Sequence, residues 1–411
     1  MAIGTMNYPM QAVILAGGRG TRMAPMTDTM PKPMIKIEGK PFLEHLIEML
    51  REQGVQRILL LLGYLPDVVK DYFGDGKRWG VSIEYSVTPV EDETGPRLKA
   101  VMSRLDPYFL LMYCDNYWPM QMEKMWKRFN EANALSMMTI YSNKDGYTNN
   151  NVRVGQDGYV SEYLKGSQNS NLQGVEIGYA FLPKSVIGLL PDENVSFEAT
   201  VYPRLAAQHQ MLAYVTDHRY YSIGSLRRLP LTEAFFKRVP TVLLDRDGVL
   251  NEKPPRAEYV RTWQDFEWRP GAKEALKLFN DSGYRVIVIS NQAGIARGAM
   301  TEADLADIHR RMNEEVTQSG GRIEAIYYCP HGWDDGCECR KPKPGMLFQA
   351  QREHQLDLSR TPFIGDDERD AEAAEAAGCP SLLLSKNESL LDIAFKVVGR
   401  GPRQDYVGAA G

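Results

Sequence analysis

The chain reads as an α/β protein of two domains, and three observations predict this. Its 411 residues exceed what one hydrophobic core usually organises. Short apolar runs alternate with stretches of helical spacing, the pattern of a largely parallel sheet. That alternation begins twice, once near residue 11 and again near residue 241.

In the first series, "QAVILA" (11–16) is a buried strand running straight into a Gly-rich turn. "PFLEHLIEMLREQG" has helical spacing and ends on Gly54, and "RILLLLG" is again a buried strand. "SLRRLPLTEAFFKRVP" predicts a helix bounded by Pro230 and Pro240, with the domain boundary near 238. The second series comprises "TVLLDRDG", the helical "AKEALKLFNDSG", the strand "YRVIVISNQ", a helix near 301–318 and the strand end "PFIGDD". The expected domains are 1–238 and 239–395, followed by a flexible tail over 396–411. No internal repeat stands out.

With 43% hydrophobic and 25% charged residues and a net charge of −5, the chain argues against nucleic acid or an anionic membrane as its main partner. No apolar run reaches membrane-spanning length, and "MAIGTMNYPMQ" lacks the basic and apolar regions of a signal peptide. A cytoplasmic protein acting on small molecules is expected. Three of the five cysteines fall within eleven residues of a histidine-containing loop, which in a reducing compartment favours metal over disulfide. Oligomeric state is not legible.

The turn after the first strand is "GGRGTR". Without side chains at Gly17, Gly18 and Gly20, backbone N–H groups can wrap a phosphate, and Thr21 follows at once. No Gly-Lys-Ser/Thr follows, so this is not a P-loop, and it does not fit G-x-G-x-x-G. Arg19, Arg22 and Lys32 add positive charge suited to a triphosphate and a leaving pyrophosphate.

With "PKPM" and "GKPF" following, the first 230 residues or so resemble the sugar-1-phosphate nucleotidyltransferases. The resemblance implies in-line attack of a sugar 1-phosphate on the α-phosphate of a nucleotide, with Mg²⁺ screening the charge. It puts Arg22 and Lys32 on the phosphates and makes Asp115, in "LLMYCDNYW", the metal-holding aspartate. Lys165, beside Glu162 in "SEYLKG", would meet the sugar phosphate, and Glu176 in "GVEIGYAFL" the sugar. Two departures stand out. Where the family completes its metal site with an Asp-x-Gly-Thr aspartate, this chain has "YYSIGS" with Ser222, a much poorer Mg²⁺ ligand. Either Asp217 or the substrate phosphates compensate, or this domain is slow or inactive and serves to bind nucleotide. The base-contacting segment reads "EDETGPRLKAV", closer to cytidylyl-transferring relatives, so CTP stays open beside GTP.

In the second half, "LLDRDGVL" sets Asp245 and Asp247 at i and i+2 after an apolar strand, so the two carboxylates converge and call for a cation, Mg²⁺. Ser290 and Asn291 end a second strand, Arg340 and Lys341 follow in "CRKPKPG", and Asp366 and Asp367 end a third. Such groups at successive strand ends gather along the carboxyl edge of a parallel sheet, where open α/β folds bind ligands. This half resembles the haloacid dehalogenase superfamily. The resemblance implies Asp245 as nucleophile, Asp247 as general acid and then base, Ser290 and Lys341 on the phosphoryl group, and Asp366 on Mg²⁺. No room is left for a large inserted cap. Both domains are thus expected to be Rossmann-like.

"CPHGWDDGCECRKPKPG" supplies Cys329, His331, Cys337 and Cys339, three thiolates and an imidazole suited to a structural tetrahedral Zn²⁺ that would aim Arg340 and Lys341. Together with "SNQAGIARG", which carries Arg297, this loop narrows the resemblance to the D-glycero-D-manno-heptose 1,7-bisphosphate 7-phosphatases and the related histidinol phosphatases. It implies that Arg340 recognises the substrate's other phosphate. A phosphatase of this kind leaves a heptose 1-phosphate, which is what a sugar-1-phosphate nucleotidyltransferase consumes. The joint expectation is a bifunctional enzyme making a nucleotide-activated heptose, with GTP favoured. The alternatives are a phosphatase fused to a degenerate nucleotide-binding domain, and a bifunctional enzyme for another sugar phosphate.

Overall fold

The structure, a computed structural model, describes residues 11–166, 171–255, 258–385 and 388–399. The chain forms two compact units, the first ending at Phe236 and the second starting at Lys237.

The first unit is built on seven strands: β1 (Gln11–Ala16), β2 (Arg57–Leu62), β3 (Ser82–Val87), β4 (Tyr108–Tyr113), β5 (Ser136–Tyr141), β6 (Val175–Pro183) and β7 (Met211–Thr216). They lie in the order β7-β5-β6-β4-β1-β2-β3. β1 runs parallel to β2 and β4, β2 to β3, and β5 to β7. The exception is β6, antiparallel to both its neighbours. A parallel return needs a long crossover, usually a helix. Between β5 and β6 the chain instead makes a small antiparallel ladder of Val152–Val154 with Val160–Tyr163, so the expected parallel sheet is mixed here.

The run "QAVILA" is apolar throughout because both sheet faces are covered. Ala12, Ile14 and Ala16 enter one core, and Val13 and Leu15 the other. The helix Phe42–Glu52 buries Leu43, Leu46, Ile47 and Leu50, and Gly54 leaves it at φ 83°. At the unit's end the helix Leu229–Phe236 begins one residue before Pro230, which a first helical turn accommodates. Its Phe235 stacks on Tyr221, with ring centroids 3.9 Å apart. That contact pins the short ladder pairing Tyr221–Ser222 with Asn116–Tyr117, beside the first candidate site.

The second unit is a five-stranded, wholly parallel sheet: β8 (Thr241–Leu244), β9 (Arg285–Asn291), β10 (Ala325–Cys329), β11 (Phe363–Gly365) and β12 (Ser381–Leu383). The order is β10-β9-β8-β11-β12, so β8 is central and its carboxyl end lies between those of β9 and β11. Val242 and Leu244 face one core and Leu243 the other. The helix Glu302–Gln318 starts at Thr301, whose side chain forms a capping box with Asp304. The last helix, Leu390–Gly399, runs past the expected domain end at 395 because Val397 packs into the core. The remainder of the expected tail, 400–411, lies outside the described residues.

Candidate active sites

In the first unit the Gly-rich loop leaves β1 and folds around two cations, the half-buried Lys32 and the buried Arg97. Gly20 has φ 69°, and a Cβ there would lie 2.9 Å from that of Lys32, so this turn requires glycine. A Cβ on Gly17 would lie 2.4 Å from the guanidinium of Arg97. Arg97 is 3% exposed and donates to the carbonyls of Leu62 (2.9 Å), Pro89 (3.0 Å) and Asp92 (2.9 Å) and to Thr88 Oγ1 (2.7 Å). It therefore ties the glycine loop to "VTPVED", a role the sequence does not single out. Gly18 borders open space, and Arg19 reaches out to Glu91.

Lys32 lies against the Asp115 carboxylate. Burial opposes both charges, yet their mutual attraction prevails. Lys32 is held above its ordinary value and Asp115 below its own, with Arg22 near enough to bear on each. Ser222 is 2% exposed, and its Oγ accepts the Gly224 N–H at 3.0 Å. A Cβ on Gly224 would sit 3.1 Å from Ser222 Oγ and 3.5 Å from Asp115 Oδ2, so both oxygens border one small space. Asp217 pairs with Lys144 at 2.9 Å. Among the described residues, no group of three or more acidic, histidine or cysteine donors gathers at Asp115. The expected cation ligand is thus countered by a lysine, and this donor set does not fit a resident divalent ion.

The surroundings of Glu176 and Lys165 are more completely built. Burial pushes the Glu176 carboxyl up to about 8, although the Gly178 N–H donates to it at 2.5 Å. Lys165 donates to Ser196 Oγ (2.9 Å) and Glu198 Oε2 (3.2 Å). Glu198, 2% exposed, also accepts from Thr94 Oγ1 at 2.8 Å. Burial acts against its charge, but Lys165 and the hydroxyl donors outweigh it and hold the carboxyl low. In the sequence Glu198 passes for an ordinary acid in a helix's first turn, after the Ser196 cap. Glu162 turns away to Arg153 at 2.9 Å.

In the second unit the stations of the sequence do meet. Asp245 follows β8 and pairs with Lys341 Nζ at 2.9 Å; the same ammonium contacts Asp370 at 2.7 Å and donates to the Ile289 carbonyl at 3.0 Å. Lys341 is placed by Asn291, whose amide donates to the Lys341 carbonyl (3.0 Å) and accepts its N–H (3.1 Å). Burial pushes Asp245 up to about 7 against the pull of Lys341, with Asp370 and Asp247 adding to the rise. Asp247 differs. Half-buried, it is held low by Arg246, Asn251 and Gln292, which bond it at 2.9, 2.9 and 2.8 Å and outweigh the desolvation that opposes its charge.

This alters the expected cation set. The carboxylates whose oxygens lie within 4.8 Å of one another are Asp245, Asp366 and Asp370, not Asp247, which its three donors draw aside. Asp366 Oδ1 is buried without a hydrogen-bond partner, although Lys253 reaches Oδ2 at 2.8 Å. Such an orphaned oxygen suits a cation. Gly248, at φ 91°, lets Asp366 in; a Cβ there would lie 2.2 Å from Asp366 Oδ2. Asp370 escapes notice in the sequence because it also closes the capping box of Asp367 at the helix Glu368–Ala377.

These residues open onto a cavity of about 640 Å³, also lined by Lys253, Tyr259, Trp333 and Arg340. Ser290 is fully buried and accepts from Gln292 Nε2 at 2.7 Å, so Asn291 and Gln292 form the wall there. Arg297 meets the cavity through Trp333, its guanidinium 4.4 Å from that ring. The thiols of Cys329, Cys337 and Cys339 and a His331 ring nitrogen lie within 4.8 Å of one another, a soft tetrad that fits a metal. The loop they close carries Trp333 and Arg340, and Arg340 donates to the His331 carbonyl at 3.3 Å.

Comparison with known proteins gives two matches along the chain. A "Nucleotidyl transferase" family model matches residues 11–218, and a "HAD-hydrolase-like" model residues 338–395. A D-glycero-beta-D-manno-heptose-1,7-bisphosphate 7-phosphatase of Pseudomonas aeruginosa is 42% identical over 149 residues, 36% of this chain and 83% of that protein. The enzyme of the same name from Bordetella bronchiseptica is 37% identical over 162 residues, 39% and 89%. A Bacillus anthracis structure assigned as a glucose-1-phosphate thymidylyltransferase superposes with TM-score 0.50 at 16% identity, covering 55% of this chain and 94% of that one, a likeness of fold. Among the described residues, no helix is long and apolar enough to cross a membrane. By these matches the chain belongs to the nucleotidyl transferase family over its first half and, over its second, to the HAD-like phosphatases that these relatives represent.

Proposed function

We propose that the chain is a bifunctional enzyme that removes the C7 phosphate from D-glycero-D-manno-heptose 1,7-bisphosphate and transfers a nucleotidyl group, GMP by preference, to the resulting heptose 1-phosphate. The observation that carries this reading is the buried Asp245–Lys341–Asp370 cluster lining a cavity of about 640 Å³, on a chain that also bears the glycine loop. The substrate is inferred from the phosphatase relatives.

In the phosphatase, Asp245 attacks phosphorus and the sugar oxygen departs, leaving an aspartyl-phosphate. A phosphate entering as its monoanion (second pKa about 6) brings the proton that Asp247 passes to the leaving oxygen. Asp247, which its donors keep ionised, then takes a proton from the water that cleaves the acyl phosphate. Lys341 offsets the repulsion between the entering phosphate and the carboxylates, and Arg340 meets the second phosphate. Asp245, Asp366 and Asp370 would hold Mg²⁺, which when bound neutralises charge on the phosphoryl oxygens.

In the transferase, the glycine loop with Arg22 and Lys32 would receive the triphosphate. Lys165, aimed by Ser196 and Glu198, would meet the sugar phosphate. Glu176, largely protonated at neutral pH, can donate to a sugar hydroxyl.

The test is one incubation of the full-length chain with either anomer of the bisphosphate, Mg²⁺ and equal GTP, CTP, ATP and UTP, with products read by mass. A GDP-heptose is expected. The Lys32–Asp115 pair and Ser222 favour one second reading, in which the first unit binds nucleotide without turnover. Heptose 1-phosphate accumulating beside four intact nucleotides would select it.

Cys329, His331, Cys337 and Cys339 would hold a structural Zn²⁺. Cys339→Ser is expected to strip about one zinc per chain by elemental analysis. It should also lower the second unit's unfolding temperature by about 10 °C or more, since such a metal's binding energy is folding energy. Unsubstituted protein that purifies without metal would count against the site.

A further inference from the structure

We infer that His309 is a positioning residue for the phosphatase: a neutral acceptor on Arg246, it fixes the grip of that guanidinium on Asp247. The inference rests on the phosphatase reading above, in which Asp247 carries the protons.

His309 lies on the helix Glu302–Gln318. Leu305, Ile308, Met312 and Val316 recur there at three- and four-residue spacing and enter the core. His309, one residue past Ile308, falls at the edge of that buried stripe. The helix thereby sets an imidazole against Arg246, which is fully buried. Nε of the guanidinium donates to Asp247 Oδ1 at 3.2 Å, and Nη2 donates to Oδ1 and Oδ2 at 2.9 and 3.0 Å. Nη2 also reaches Gln292 Oε1 at 3.1 Å. The remaining nitrogen, Nη1, meets His309 Nε2 at 3.4 Å.

A guanidinium has donors only, so His309 Nε2 is the acceptor and carries no proton. Burial and the Arg246 charge, against a smaller pull from Asp247, push the imidazole down to about 3. The ring therefore stays neutral, with its proton on Nδ1. Neutrality matters here. A carboxylate at 309 would compete with Asp247 for the cation, whereas an alkyl side chain would leave the buried Nη1 without this acceptor. His309 also lines a separate cavity of about 400 Å³ with Asn313, Glu324 and Tyr328. Arg246 does not line it, so the ring stands between that cavity and the guanidinium.

The test is steady-state phosphate release from either anomer of D-glycero-D-manno-heptose 1,7-bisphosphate with Mg²⁺. It compares the full-length chain with its His309→Leu and His309→Gln variants, each checked for folding by thermal unfolding. Leucine fills space without an acceptor, and the glutamine amide oxygen can replace Nε2. His309→Leu should lower kcat about tenfold or more, part of the roughly 10²–10⁴-fold that positioned acid–base groups contribute, and leave KM within about threefold. His309→Gln should keep kcat within about threefold of the unsubstituted value, because it keeps the hydrogen bond. A folded His309→Leu chain with full kcat, or a folded His309→Gln chain as slow as the leucine variant, would overturn the inference. Should His309→Leu not fold, nitrogen NMR of the histidine-labelled, unsubstituted chain decides, with the resonance assigned by its loss in His309→Gln. At neutral pH His309 should appear protonated on Nδ1 alone, and a proton on Nε2 would overturn the inference. If the unsubstituted chain releases phosphate from neither anomer, the phosphatase reading itself fails, and this inference with it.

Discussion

Asp245→Asn should abolish phosphate release from a sugar bisphosphate, by on the order of 10⁴-fold or more, as removal of a nucleophile commonly does. Nucleotidyl transfer to supplied heptose 1-phosphate should continue at the unsubstituted rate. The substitution keeps the shape of the side chain and removes only its capacity to attack. Lys341 keeps Asp370 at 2.7 Å and the Ile289 carbonyl at 3.0 Å, so the cluster does not collapse. Stability should hold or rise, because the buried Asp245 charge is opposed by its surroundings, as its shift up to about 7 shows. The measurement is a pair of steady-state assays, phosphate release and pyrophosphate release. Loss of both activities in a folded protein would refute the independence of the two units.

Lys341→Met should remove phosphatase activity and also weaken the fold. Lys341 is 2% exposed and is the shared partner of two buried carboxylates. Removing one member of a buried ion pair typically costs about 3–5 kcal/mol, because the remaining charge is left uncompensated. The variant can lessen this by taking up protons. A carboxyl whose folded pKa is raised stabilises the fold at low pH and loses that contribution as pH rises through the folded value. Asp245 already lies near 7 with Lys341 present, and without the lysine it moves higher. The stability deficit of Lys341→Met should therefore grow as pH rises through about 7 in magnesium-free buffer. Urea titrations at several pH values would show it, and a deficit that shrank with pH would remove Lys341 from this electrostatic role.

Much of the second site is legible because strand geometry does the placing. Asp245 and Asp247 project together by alternation, and the central position of β8 brings Asn291 and Asp366 to the same edge. Alternation does not say what each carboxylate then meets. Arg246, between them, is buried against Asp247 and Gln292, which diverts Asp247 from the acidic cluster. Asp370 is hidden by its second duty as a capping residue. In the first unit the glycine loop is readable, but Arg97 and Glu198 look like surface charges on helices. Decisive partners, the Leu62 carbonyl for Arg97 and the Thr94 hydroxyl and Lys165 ammonium for Glu198, are brought near only by the finished sheet, and local spacing holds no trace of such contacts. The antiparallel β6 is missed because the alternation of strands and helices is silent on where a crossover is omitted.

The division of one chain into two compact units has a consequence for flux. Enzymes made from separate messages meet in proportions that follow their expression, and a shared intermediate rises and falls with that ratio. Here translation delivers the two activities one to one. On the function proposed above, the standing level of the intermediate shared by the two sites is then governed by the ratio of two turnover numbers written into the same polypeptide. Selection on either active site retunes the pool without any change in gene dosage.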